Sequence, residues 1–402
     1  MPEKITIIGA GVSGLFLGCC LKKNNYHPTI YEKDISLSPY GAGVNLSKNA
    51  TLLLDKLGLK DELISLGYLP ERVNFRSFDN ARLIKSVSLN ENSNDFISID
   101  RRDLIDVMKE HYLSLNGELI FDHNCSYIKD TEIYFHNKQK TTSDLVIACD
   151  GIKSDIRTKY FDNLIPKFSN LVAWRGMTPR SELSSNSLWD QINIYLGPHG
   201  HIVHYPISKG NKINFVAIRK QKKWEDESWV SQGHMQELLS VFSSWNEDVL
   251  ELFSKSDNLH KWGLYERKSI KKLVNGNLLL MGDAAHPMLP FLAQGSCLAI
   301  EDAYSFSELL KINTNLNKTL TNYQKLRLKR GNKIQVKSGK GDVQINGKEV
   351  EVKAEAGKGG GRLGQGGPAQ NQAISFWSTL PSINKHFAEL GGKYLGIGNA
   401  LK

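Results

Sequence analysis

Lys4-Ile-Thr-Ile-Ile-Gly9-Ala-Gly11-Val-Ser-Gly14-Leu15 decides the fold. A β-branched run enters three glycines spaced G-x-G-x-x-G, and the small, apolar residues that follow read as a helix to about Lys22. Strand, glycine turn and helix in that order are the context in which the spacing carries physical meaning. Gly9 permits a tight turn, Gly11 removes the Cβ that would block a pyrophosphate, and Gly14 lets helix and strand pack closely. The helix start adds unpaired N–H groups and a partial positive charge. A second strand, Pro28-Thr-Ile-Tyr31, ends at Glu32, where a carboxylate can accept hydrogen bonds from ribose hydroxyls. These features together predict an α/β chain with a doubly wound parallel sheet that binds a dinucleotide.

The remaining composition narrows the class. With 402 residues the chain can bury a large core and is expected to form two domains. No apolar run reaches about 18 residues, so no stable membrane insertion is expected. Removing the N-terminus as a signal would delete the first strand, so it is not read as one. Cys19, Cys20, Cys125, Cys149 and Cys297 have neither paired spacing nor a C-x-x-C, which reads as thiols in a reducing cytoplasm and no metal site. The net charge of +9 comes from scattered lysines, so it implies a diffuse field that attracts anions rather than nucleic-acid binding.

Farther along, Tyr40-Gly-Ala-Gly43-Val-Asn-Leu-Ser47 is a glycine-rich loop entering a helix of about Asn49 to Leu57. Either Gly41 and Gly43 adopt positive φ, or the backbone passes close to a flat ring. The stretches 73–78 and 82–88 alternate as antiparallel strands joined at Asp79-Asn80. A helix opens around Ser98 to Leu104 and runs to about Leu115, with Arg101 at its start either meeting a phosphate or ribose or lying solvated. The apolar strand Leu145 to Cys149 ends at Asp150-Gly151, at the strand end where open α/β sheets bind ligands. From Leu171 to about Ile270 the chain reads as a mostly antiparallel sheet with a helix across Met235 to Trp245. A last buried strand from Asn277 ends at Gly282-Asp283, crosses a proline-pinned loop, and enters the helix Ser296 to Leu310 at Gln294-Gly295. Beyond it, 339–353 alternates around Asn346-Gly347 as a hairpin, and Gly357 to Pro368 is low-complexity.

Three separated motifs, Gly9-x-Gly11-x-x-Gly14 with Glu32, Asp150-Gly151 with Ser154 and Arg157, and Gly282-Asp283 with Ala284-Ala-His286-Pro, resemble those of the single-component FAD-dependent aromatic hydroxylases. The likeness covers roughly residues 4 to 335. Segments Gly197 to Pro206 and Leu289 to Gly295 are similar to the hydroxybenzoate and salicylate branch. The resemblance implies a doubly wound FAD-binding domain (1–72, 96–170, 271–335) with an interleaved, mostly antiparallel substrate domain (73–95, 171–270), leaving 336–402 atypical. It implies that FAD is held by Gly9, Gly11, Ser13, Gly14, Glu32, Lys33, Gly43, Val44, Arg101, Cys125, Asp150, Gly282, Asp283, Pro290 and Gly295. His201, Tyr205 and Gln294 would line the substrate pocket; from its residue type alone His201 is equally a satisfied strand histidine, and His204 alternates to the other face.

The activity so implied is that NADH or NADPH reduces bound FAD, dioxygen adds to the reduced flavin, and the hydroperoxide transfers one oxygen to a small phenolic acid. A homodimer is compatible with it. The alternatives are another FAD-dependent oxidoreductase, whether oxidase, reductase or halogenase, and an inactive FAD-binding protein. Two departures from the family pattern stand out: Lys33 replaces a common arginine after the ribose-binding acid, and the chain after Gln335 lacks the expected helical ending.

Overall fold

The computed structural model describes residues 1–37, 42–89, 95–185, 187–222, 224 and 231–339, together with the backbone of strands Val343–Asn346 and Glu349–Val352. Tyr40, Gly41 and the run Gly357 to Pro368 lie outside the described residues.

The strands Ile5–Ile8 and Leu145–Ala148 are buried along their whole length, because apolar side chains on both faces need a cover on both faces. They sit at the centre of a six-stranded sheet ordered Val274–Asn275, Leu278–Leu280, Leu145–Ala148, Ile5–Ile8, Thr29–Tyr31 and Glu118–Ile120. All pairings are parallel except that of the edge strand Val274–Asn275. Successive residues of a strand point to opposite faces. Thus Ile30 meets the first helix, Val12–Lys23, at Gly18, whereas the Tyr31 ring packs 4.8 Å from that of Phe135 on the other side. Phe135 belongs to a three-stranded antiparallel sheet, Cys125–Lys129, Glu132–Phe135 and Lys140–Thr142, which the sequence reading did not identify. On the helical side Phe16, Met108 and Phe306, from helices Val12–Lys23, Arg101–Ser114 and Gly295–Ile312, share one core with the sheet.

The second sheet has eight strands. From one edge they are Ser231–Gln232, Asp257–Glu266, Lys167–Pro179, Lys212–Lys220, Gly200–Ile207, Ile192–Gly197, Arg72–Ser77 and Leu83–Ser88. Only the pairing of Ile192–Gly197 with Arg72–Ser77 is parallel. One face buries Val172, Trp174 and Phe215 against Phe242, Trp245 and Phe253. The other carries Leu171, Ala173, Ile218 and Trp262 toward Leu289 and Phe291, in the loop that leaves the parallel sheet.

Three boundaries differ from the sequence expectation. Ile97–Asp100 is a strand paired with Gly43–Leu46, and the Asp100 carboxylate then caps the helix by accepting from the Arg102 N–H at 2.9 Å. The helix beginning at Met235 ends at Val241, and Asn246 caps a further helix, Glu247–Ser254, so that Phe242 and Phe253 enter the same core. The helix Leu316–Gly339 runs past Gln335, and the strands Val343–Asn346 and Glu349–Val352 pair antiparallel, with Asn346 opposite Glu349. Among the described residues no helix is long and apolar enough to cross a membrane.

The first helix can lie this close to the sheet only because residue 14 has no side chain. A Cβ there would overlap the Gly9 carbonyl oxygen and approach Ile7 Cγ2 to 3.2 Å. Gly14→Ala is therefore expected to cost about 3 kcal/mol or more, at the upper end of core overpacking, as read from urea or thermal unfolding.

Candidate active site

Gly9 has φ 104°, and a Cβ on it would lie 2.5 Å from the Cys149 carbonyl oxygen, so the turn admits glycine alone. Gly11 is different. Its backbone is extended, and no described atom lies within 4 Å of where its Cβ would stand. It faces a cavity of about 460 Å³ whose wall also includes Gly9, Glu32, Lys33, Arg101, Cys125 and Asp150. Seven of the residues expected to hold the cofactor thus share one cavity. The Glu32 carboxylate is aimed by two backbone donors, the Ala10 N–H at 2.7 Å and the Asp34 N–H at 3.2 Å. Burial pushes the Cys125 thiol up to about 12, so it lines the wall as a neutral group.

The polar groups here are short of partners. Arg101 opens its helix with its N–H donating to the Ala42 carbonyl at 2.7 Å. Its half-buried guanidinium makes no hydrogen bond or ion pair among the described residues. Burial lowers its pKa, and the carboxylates of Asp283, Glu32 and Asp100 act the other way without bonding to it. Asp150 Oδ1 is buried with no partner among the described residues, and its carboxyl is pushed up to about 6, chiefly by burial. Ser13 Oγ is likewise buried without a partner and lies where a Cβ on Gly282 would come within 2.9 Å. Gly282 takes φ 61° and starts the turn that presents Asp283. Asp283 is open to water on one side yet enclosed by protein on most others. Its carboxyl is raised by that burial and lowered by Arg101. Its Oδ1 is 3.9 Å from where a Cβ on Gly295 would stand, so it borders the start of the helix Gly295–Ile312, and Pro290 is exposed just upstream. An open glycine turn, an orphaned carboxylate oxygen and an unbonded guanidinium between two acids fit an elongated nucleotide carrying hydroxyls and a pyrophosphate, as FAD does.

Two buried arginines hold the ends of this crevice in register. Arg157, in the helix that Ser154 caps, donates to the carbonyls of Ala285 at 3.0 Å, Ala284 at 3.3 Å and Lys268 at 2.8 Å, and pairs with Asp162 at 3.1 Å. Arg267 reaches the Ile152 and Leu164 carbonyls at 3.2 and 2.7 Å. The Asp150 and Asp283 turns are tied to one frame.

The substrate-side candidates divide. His201 and Tyr205 alternate onto the face of the second sheet that looks toward the loop after Asp283, and the His201 ring stands 5.4 Å from that of Phe291. Tyr205 is buried, with its phenol raised by burial and lowered by Arg175. His204 points the other way, between Trp189 and Tyr195, and burial with Arg76 lowers it to about 3. Gly43 is a strand residue without positive φ. Its N–H donates to Asn214 Oδ1 at 2.8 Å, and a Cβ would lie 2.5 Å from Asn214 and 2.6 Å from Tyr205, so close packing explains this glycine; Val44 beside it is half-buried.

Gln294 is not turned into the pocket. It is buried, its Oε1 accepts from Asn49 Nδ2 at 3.1 Å, and its Nε2 donates to Ser47 Oγ at 3.0 Å. Asn49 also donates to Glu301 at 2.7 Å, and Glu301 is held by Arg327 at 2.9 Å and Arg330 at 2.6 Å. Burial alone would raise the Glu301 carboxyl, and the two arginines bring it to about 2. The sequence signal for this network was a carboxylate pair, Glu301-Asp302, inside an apolar helix. Sequence reading also passed over Arg175, a lone cation in Leu171-Val-Ala-Trp-Arg175. Its guanidinium lies 5.0 Å from the Trp262 ring centre.

A family model described as FAD binding domain matches residues 3–338. A 3-amino-4-hydroxybenzoate 2-monooxygenase of Streptomyces platensis is 28% identical over 345 residues, covering 83% of this chain and 86% of that protein. The 3-hydroxybenzoate 6-hydroxylase 1 of Aquipseudomonas alcaligenes is 27% identical over 350 residues, covering 84% and 88%. Among solved structures, a salicylate hydroxylase in complex with substrate superposes with a TM-score of 0.73 at 25% identity, covering 83% of this chain and 87% of that one.

Gly11→Ala meets no neighbour, so its unfolding midpoint should match the parent protein while retained flavin falls at least tenfold, read from the visible spectrum after gel filtration. Asp150 tests the electrostatics. A folded-state pKa near 6, against about 3.9 when unfolded, means the ionised carboxyl costs stability as pH rises from 4 through 6. Flavin-free Asp150→Asn should therefore gain about 3 kcal/mol at pH 8 and little at pH 4, measured by urea unfolding at both pH values.

Proposed function

This chain belongs to the FAD binding domain family and is an FAD-dependent aromatic monooxygenase, and we propose that it uses NADH or NADPH and dioxygen to hydroxylate a small phenolic acid. What carries the reading is that one crevice holds the unbonded Arg101 and the orphaned Asp150 oxygen, while Arg101 also feels the charge of Asp283, where the loop across from His201 begins. The free, buried cysteines support a reducing, cytoplasmic setting.

In this reading residues 1–72, 96–170 and 271–335 form the cofactor side, and 73–95 with 171–270 the substrate side. Glu32 would take the ribose hydroxyls and the Gly9 to Gly14 turn the pyrophosphate, with Arg101 adding fixed positive charge beside it. Asp150 and Asp283 would accept from the remaining hydroxyls. Bound FAD, once reduced by the nicotinamide, supplies the activation of dioxygen. The chain's own work is on protons, charge and water. His201, whose imidazole can accept a proton, takes the phenolic proton so that the ring reacts as the more nucleophilic phenolate. The first N–H groups of the helix Gly295–Ile312, which no side chain caps, face negative charge that develops in the crevice. Leu289 and Leu292, buried, and Phe291, half-buried, keep water from the reacting ring.

The purified protein should be yellow and should oxidise NAD(P)H faster when a phenolic acid is present, with a hydroxylated product; peroxide alone would mark an oxidase. His201→Ala should keep its flavin and lose turnover by about 10²- to 10⁴-fold, the usual range for a general base. Unchanged hydroxylation in that variant would remove His201 from the mechanism.

A further inference from the structure

We infer that the exposed ridge of the helix Leu316–Gly339, with the segments 161–167 and 266–272 beside it, adsorbs reversibly to the surface of an anionic lipid bilayer. Nothing in the hydroxylase reading calls for such a surface. Lysines that look scattered along the chain are gathered here. Lys325, Lys329, Lys333 and Lys337 recur every fourth residue and are all exposed, so they form one row about 18 Å long. No acid lies between Lys325 and Gly339, and like charges four residues apart repel, so the row weakens the helix on its own. On the adjoining side of the same helix Asn332 and Gln335 donate to the Ile270 and Arg267 carbonyls at 2.9 and 2.8 Å. The stretch that carries the exposed Lys268 and Lys271 therefore lies against this helix. Among the described residues none of these lysines makes an ion pair. The acids on the three segments are Asp162, which Arg157 holds at 3.1 Å, and the exposed Glu266, which stands level with Lys167 across two strands.

Charge alone would suit any polyanion, and the apolar residues decide between them. Ile165 is 69% exposed, its neighbour Leu164 39% and Val336 47%. Buried Arg267 donates twice to the Leu164 carbonyl, at 2.7 and 3.1 Å, so this apolar tip is fixed in place. Val336 and Lys268 line one cavity of about 280 Å³ together with Pro287, Met288 and Leu289, which joins the helix to the segment after Glu266. Exposed apolar side chains beside unpaired lysines match a bilayer interface, where the ammonium groups meet lipid phosphates and the apolar groups enter the acyl boundary. A nucleic acid calls for stacking aromatics or free arginines instead. The one aromatic on these segments, Phe161, is half-buried, with the Lys272 ammonium 5.9 Å from its ring centre. Their arginines, Arg267, Arg327 and Arg330, are bonded within the protein. No described helix can cross a membrane, so the contact is adsorption and not insertion.

The test is co-sedimentation of the full-length, flavin-loaded protein with vesicles of phosphatidylcholine alone or mixed equally with phosphatidylglycerol, at low and high salt. The protein should pellet with the anionic vesicles and not the neutral ones, and high salt should release it. Lys329→Gln and Lys333→Gln should each weaken partitioning about fivefold, and together about 30-fold. Ile165→Ser should weaken it about tenfold. Each variant should keep its flavin and the parent's unfolding midpoint, since the altered side chains are exposed and unbonded. No partitioning at low salt, or equal partitioning onto neutral vesicles, overturns the inference. Partitioning that survives both sets of substitutions does so too, because it comes from elsewhere on the chain. A loss with the glutamines but none with Ile165→Ser marks a surface for polyanions in general and rejects the bilayer. Tighter binding to a duplex oligonucleotide than to the vesicles gives the face to nucleic acid. A dimer that Ile165→Ser separates, with no vesicle binding, gives it to a second copy of the chain and overturns the proposal.

Discussion

Parallel register is the constraint on which the rest depends. Ile8 stands level with Tyr31 on one side and Ala148 on the other, and Ala148 with Leu280. Four chain segments, far apart in sequence, therefore end at one edge of one sheet, and each meets a polar or glycine residue within two positions of that edge: Gly9, Glu32, Asp150 and Gly282. No side chain in the crevice needs to be placed separately. A slip of one residue in any strand would turn its apolar set over and move its polar end out of the row. Parallel strands buried on both faces make such a slip expensive.

Charge is distributed over this frame in two ways. Arg157, Arg267, Arg327 and Arg330 are saturated by carbonyls and carboxylates, and each joins segments separate in sequence. Breaking such a pair strands a buried charge, so these arginines make relative movement of the turns costly. Arg101 and Arg175 are the opposite case: cations at the crevice and on the sheet face whose guanidinium groups make no hydrogen bond or ion pair among the described residues. Rigid, satisfied charges surround unsatisfied ones, and that contrast marks where ligands belong more sharply than any single residue type does.

The parallel sheet and its ligand edge were legible because each signal was local: an apolar strand ending in glycine or Asp-Gly, read within about fifteen residues. The sheet of 125–142 was not, since its strands are three to five residues long and half-exposed, with no apolar run to detect. Gln294 was expected to line the substrate pocket, but its amide is turned away, and the partners that hold it, Ser47 and Asn49, lie about 245 residues away in sequence. Arg175 was missed for the complementary reason. An arginine in a strand is ordinary; that nothing pairs with it is a property of the folded chain only.

The loop Pro290 to Gly295 stands between both ligand regions, and its geometry is imposed from behind. Ala293 is held in the left-handed region at φ 50°, a conformation unfavourable for any residue with a Cβ, so the surroundings must fix it. Gln294, hooked to Asn49, supplies one restraint, and the Asn49–Glu301–Arg330 chain carries it back to the helix Leu316–Gly339. Ser338 supplies another by donating to the Leu289 carbonyl, and Gln335 a third, at 2.8 Å, through the Arg267 carbonyl. The helix Leu316–Gly339 thus buttresses the wall that closes the pocket, although none of its residues was expected at the site. The family model matches through residue 338, so Ser338 and the whole of this contact lie inside the matched span, although the sequence suggests a departure from about Gln335.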